Sequence, residues 1–148
     1  MMPMIVEGWP TPSYTVRPSA FSWGHKLSVE DPSGQEVAFI AQTLLVWGPT
    51  YEIRRDGDVA AIVKKHLWTM SNARFSVDVP GPNDLEASGD FLAHEYEITR
   101  GGDVVARVSK QWFTLTDTYG VDVAEGEDDV LVLCVAIVID LCCHPDRR

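Results

Sequence analysis

Few groups in this chain have types and spacing suited to chemistry. His94-Glu95-Tyr96-Glu97 sets an imidazole, a phenol and two carboxylates in a row, the groups general acid–base catalysis uses. In a strand, alternation sends His94 and Tyr96 to one face and the glutamates to the other, so His94 is expected as a satisfied structural residue. Cys142-Cys143-His144 offers soft-metal donors. No second Cys or His cluster completes a tetrahedral set and adjacent cysteines rarely chelate one ion together, so no metal is expected. Glu127, Asp128 and Asp129 are consecutive and lack the alternating spacing of a calcium loop; they read as carboxylates at a helix start. Neither a nucleophile elbow nor a phosphate-binding glycine loop is present, and Gly101-Gly102 is turn chemistry. No catalytic residue and no cofactor is assigned, and the chain reads as a non-enzyme, with an enzyme using His94 and Asp or Glu partners as the least favoured alternative.

Arg54, Arg55, Lys64, Lys65 and His66 make the most basic stretch and are the candidate site for a lipid phosphate. Arg54 and Lys64 fall at opposite ends of a hairpin, roughly 17 Å apart at about 3.4 Å per residue, so a solvated face competes with that reading. Lys65 and Lys110 end inward-facing rows, where Asp140 or the acids at 127 to 129 would pair with them. The formal charge of −10 and the pI near 4.6 exclude duplex nucleic acid as a partner and disfavour anionic membranes. The three cysteines, Cys134, Cys142 and Cys143, are too close in sequence for ordinary pairing and imply a reducing compartment. Met1 to Val6 lacks the pattern of a signal peptide and no stretch qualifies as a transmembrane segment, so the cytoplasm is the expected location.

The elements that must position these groups centre on one apolar run. From Val130 to Cys143 the chain is nearly unbroken in apolar residues apart from Asp140. It is too short to cross a bilayer and more than twice a typical strand, so it is expected as a helix over about 127–142, buried on every side. The chain before it reads as short strands. Tyr51-Glu-Ile-Arg-Arg-Asp-Gly-Asp-Val-Ala-Ala-Ile-Val-Lys-Lys65 aligns without a gap on Tyr96-Glu-Ile-Thr-Arg-Gly-Gly-Asp-Val-Val-Ala-Arg-Val-Ser-Lys110, with a fainter copy over Leu27 to Gln42. Three hairpins of one design are implied. A three-residue loop, Arg55-Asp56-Gly57 or Arg100-Gly101-Gly102, with a bulge glycine at its end would set Tyr51, Ile53, Val59, Ala61 and Val63 on one face, and Tyr96, Ile98, Val104, Ala106 and Val108 likewise. Arg54 would then oppose Asp58. The small inward residues Ala38, Ala61 and Ala106 would leave room for the helix. Ser88-Gly-Asp90 is expected to turn between strands Leu85 to Ala87 and Phe91 to Ile98, Phe21 to Trp23 is expected as a strand, and Phe39 and Trp47 are candidates for an exposed partner surface.

Gly89-Asp-Phe-Leu-Ala-His-Glu-Tyr-Glu-Ile, Val108-Ser-Lys-Gln-Trp-Phe, Asp117-Thr-Tyr-Gly-Val-Asp-Val and Gly126-Glu-Asp-Asp before the apolar run resemble the LURP-one-related family, grouped with tubby C-terminal domains and phospholipid scramblases. The resemblance runs from about Ser13 to Leu141. It implies a mainly β (α+β) fold, a closed antiparallel barrel of about twelve strands wrapped around one central apolar C-terminal helix, which the repeat and the run also suggest. The expected organisation is a flexible segment over 1–12, one tubby-like domain over 13–144 and a tail over 145–148. The implied function is that of a non-enzymatic module binding phospholipid headgroups or tethering to membrane surfaces; the alternative is a structural or protein-interaction protein. Lipid scrambling is not expected, since the cysteine-rich and membrane-proximal segments of scramblases are absent.

Overall fold

Short segments rich in β-branched and aromatic residues, punctuated by Gly, Asp, Asn and Pro, form strands, and the long apolar run forms a helix. The computed structural model describes residues 2–7, 13–18, 26–45, 48–67, 73–109 and 120–143; the expected Phe21 to Trp23 strand, Trp47, Lys110 and His144 lie outside them. The elements are β1 (Met2–Glu7), β2 (Ser13–Pro18), β3 (Lys26–Glu30), β4 (Glu36–Leu45), β5 (Gly48–Arg55), β6 (Asp58–Leu67), β7 (Ala73–Asp78), β8 (Leu85–Asp90), β9 (Glu95–Arg100), β10 (Asp103–Ser109), β11 (Gly120–Val123) and α1 (Asp129–Cys143). From β2 to β11 each strand pairs antiparallel with the next, a ten-strand sheet in sequence order. β1 pairs with both end strands, antiparallel with β2 and parallel with β11. The segment read as flexible over 1–12 thus holds a strand, because an extended backbone can satisfy its N–H and C=O groups on two neighbours at once.

The helix starts and packs as its residues require. Asp128 is the cap: its Oδ1 accepts from the Leu131 N–H at 3.2 Å and its carbonyl from the Val132 N–H at 3.1 Å, with Glu127 just ahead of the helix rather than in it. Every residue from Leu131 to Asp140 is buried, all around the helix, each Val, Leu or Ile there stabilising by about 1.5–3 kcal/mol. α1 packs against β4, β5, β6 and β11, of which β4 and β6 present Ala38 and Ala61 inward, 2% and 1% exposed.

The repeated hairpins reach the expected faces by a different route. The turns hold two residues, not three: Asp56 and Gly57 have φ of 53° and 83°, Gly101 and Gly102 of 58° and 92°, the paired positive values of a turn whose twist matches its strands. A two-residue turn alone would put the strands out of phase, and a bulge in the second strand restores them. The register shifts between Ile53 and Arg54 opposite β6 and between Val104 and Ala106 in β10. The third hairpin shifts at the same place, between Val29 and Glu30, so Ala38, Ala61 and Ala106 each follow a bulge. Two expectations are corrected. Val59 and Val104 face outward, 37% and 38% exposed, while Val105 is buried, and Arg54 opposes Val59, leaving Asp58 to Arg55.

A further correction concerns the turn before β9. Ser88, Gly89 and Asp90 stay in β8, and the chain reverses at Phe91–His94. Gly89 lies so close to β9 that an added Cβ would sit 2.7 Å from the Tyr96 Cα, a contact only glycine permits. Phe91 and His94 turn inward, 5% and 3% exposed.

Candidate functional site

His94 and Asp140 form a buried pair where the helix ends. β8 and β9 carry the turn that holds His94 at φ 58°, a left-handed value costing a non-glycine residue about 1–3 kcal/mol. The His94 Nε2 lies 3.0 Å from the Asp140 Oδ1, with side chains 4% and 7% exposed. This pairing gives the one carboxylate of the apolar run a partner away from water, without which it could not be buried. Around it the interior resists negative charge: burial first, then the nearby Asp140 and Cys143, hold the Tyr96 phenol well above its ordinary range. Burial pushes the Cys142 thiol up to about 11, against the opposing field of Lys65 and a hydrogen bond with Tyr51, and raises Cys143 too. Cys134, deeper in the helix, is pushed up to about 12 by burial. These thiols stay protonated at neutral pH and are poor nucleophiles and metal ligands. Among the described residues no group of three or more His, Cys, Asp or Glu converges as a metal site.

The five basic residues singled out by the sequence do not converge. Arg54 bonds to the Glu52 Oε2 at 2.8 Å, Lys64 to the Asp78 Oδ2 at 2.9 Å, and the His66 Nε2 lies 2.7 Å from the Ser76 Oγ. Arg55 leaves that face for the helix cap, paired with Asp128. Lys65 stands in the inward row, in register with Phe75, near Cys142 and Cys143 rather than the expected Asp140. Arg100, the counterpart of Arg55 in the repeat, holds Glu127 through Nη1 at 2.9 Å from both carboxylate oxygens. That second clamp escaped the sequence reading, although the repeat itself signals it: equivalent hairpin tips reach the same end of the same helix. Phe39, proposed as exposed, is half-buried on the outer face.

Charge is divided between the two ends of the sheet. The hairpin tips and the helix start share one end, which carries Asp31, Asp56, Asp58, Asp84, Asp103, Glu125, Glu127, Asp128 and Asp129 together with Arg55 and Arg100. At the other end, where the helix finishes, lie Arg17, Lys26, Lys65 and Arg74 with Asp90, Glu95 and the buried Asp140. Among the described residues, carboxylates thus outnumber cations at the end with the hairpin tips, while at the other end the two are close to balance.

A family model described as LURP-one-related matches residues 10–140. The chain belongs to the LURP-one-related family. The match takes in β2 to β11 and the helix as far as Asp140. A relative, the uncharacterized protein YxjI of Bacillus subtilis (strain 168), is 33% identical over 135 residues, 91% of this chain and 81% of the relative. No solved structure matches. In this LURP-one-related chain His94 and Asp140 face each other in the interior, and their pairing fastens the Phe91–His94 turn to the helix. Among the described residues no helix is long and apolar enough to cross a membrane.

Proposed function

We propose that this protein is a non-enzymatic, tubby-like module of the cytoplasm that works by docking its outer surface on phospholipid membranes. In this reading β1, paired to both end strands, closes the sheet into a barrel whose lumen the helix occupies. The observation that carries it is the division of charge: a chain of net charge −10 can approach a lipid surface by the end where cations and carboxylates are close to balance, with the acidic hairpin tips at the far end. The enclosed His94–Asp140 pair supports surface binding over chemistry, since neither side chain reaches solvent. The basic hairpin is the weaker headgroup contact, because Arg54, Arg55 and Lys64 already have carboxylate partners.

That same neutralisation favours a second reading, a protein partner recognised without any lipid. Flotation with phosphatidylcholine vesicles, with and without phosphatidylserine, at low and physiological salt separates the two. Recovery with the vesicles supports the membrane reading, whereas protein left in the dense fraction under every condition rejects it in favour of a protein partner. Arg54→Glu combined with Lys64→Glu should leave flotation unchanged; its loss would move the site back to the hairpin.

A further inference from the structure

Leu92 is 71% exposed, against 37% and 38% for Val59 and Val104, the other exposed large apolar side chains described. A lone exposed leucine is ordinary, but this one is held rigidly. Phe91 beside it is buried, with ring centroids 4.9 Å from Phe75 and 5.0 Å from Tyr96. His94 beyond it is buried at a positive φ and bonded to Asp140 of the helix. Inside the turn the Ala93 N–H donates to the Asp90 Oδ1 at 3.0 Å and the His94 N–H to the Phe91 carbonyl at 3.3 Å. Backbone strain and two buried anchors thus present an apolar tip whose ordering is complete before anything binds, the arrangement that makes a contact strong for its size.

We infer that the Asp90–His94 turn enters the interfacial layer of a phospholipid bilayer, with Leu92 as the inserted side chain. This rests on the reading of the protein as a module for phospholipid surfaces. The charge distribution selects both the partner and the end. The turn lies at the end where the helix finishes, the end that also carries Arg17, Lys26, Lys65 and Arg74, of which Arg17 and Arg74 pair with Glu30 and Glu86, so with Leu92 toward the membrane the acidic hairpin tips point to solvent. The Asp90 carboxylate, which would oppose insertion, is engaged by the turn's own backbone.

The test is co-sedimentation with phosphatidylcholine vesicles, with and without phosphatidylserine, of the unaltered protein and of Leu92→Glu, Leu92→Trp and Val104→Glu. Leu92→Glu should weaken partitioning roughly tenfold or more, the loss expected for one inserted leucine. Leu92→Trp should bind at least as well as the unaltered protein, and Val104→Glu, on the wall, should bind equally. All four should melt alike, since neither position is buried. If the unaltered protein binds and Leu92→Glu binds equally, the turn is not the inserting element, while the membrane reading stands. If the unaltered protein binds no vesicle, both fall, even where Leu92 proves to anchor a protein partner.

Discussion

At the scale of single residues, the decisive pair is His94 with Asp140. A carboxylate in an apolar helix must be matched, and it is matched by a histidine 46 residues earlier. His94→Ala should therefore destabilise by about 3 kcal/mol, because it leaves a buried charge without that partner. Asp140→Asn, which removes the charge and keeps a polar group, should cost only about 1 kcal/mol. Urea unfolding of both variants checks this, and equal losses would mean that the charge is not the issue. The thiols and Tyr96 set a pH dependence with a definite sign. Cys134 and Cys142 are pushed from an ordinary 9.0 to about 12 and about 11, and Tyr96 is held well above 10.0. Above about pH 9 the unfolded chain releases protons that the folded one keeps, so their contribution is complete below pH 9 and is lost as pH rises toward 11 and 12. The urea midpoint should be steady from about pH 7 to 8.5 with respect to these groups and fall beyond. A midpoint unchanged at about pH 11 would show that these groups do not stay protonated inside.

At the scale of elements, the helix is held at its start by two hairpin tips that occupy the same place in the repeat. Arg55 and Arg100 are about a third exposed, 34% and 33%, so Arg55→Ala and Arg100→Ala should each cost only about 0.5–1 kcal/mol. Asp128→Ala removes the cap as well as an ion pair and should cost about 1–2 kcal/mol. A double-mutant cycle between Arg55 and Asp128 isolates the ion pair, and a coupling of zero would confine the role of Asp128 to capping. The bulges can be tested in the same way. Val105→Ala should cost about 2 kcal/mol as a core truncation, and its neighbour Val104→Ala less than about 0.5 kcal/mol. The reverse order would restore the register expected from a three-residue turn.

At the scale of the whole molecule, β1 decides what the sheet exposes. It meets β2 over Met2 to Ile5 and β11 over Ile5 to Glu7, so it covers a ladder edge on each side. Without residues 1–7 both edges would offer unpaired N–H and C=O groups, which recruit other strands. The shortened chain should self-associate with rising concentration under light scattering while the full chain does not. Identical behaviour of the two would show that β1 shields nothing.

Local order determined what could be read without coordinates. The period-two alternation of the hairpins and the unbroken run before Cys143 are each complete within a few residues, so the repeated hairpins and the acid-started helix were legible, whereas β1, the length of the turns and the reversal at Phe91–His94 were not. The resemblance carried by Gly89 to Ile98 and Gly126 to Asp129 was legible for the same reason. Distances in sequence hid the rest. Whether a bulge sits in the turn or one step into the next strand leaves the residues on either side unchanged, and only pairing across β5 and β6 decided that Val59 faces out. Alternation alone already separated Arg54 from Lys64 and turned Lys65 inward, but that Arg55 leaves the basic run for the helix cap was not legible in it. The partner of Arg55 is 73 residues away, and the division of charge between the two ends exists only once every hairpin tip is brought to the same side. Contacts of that range depend on how the chain closes on itself, and tertiary structure alone decided them.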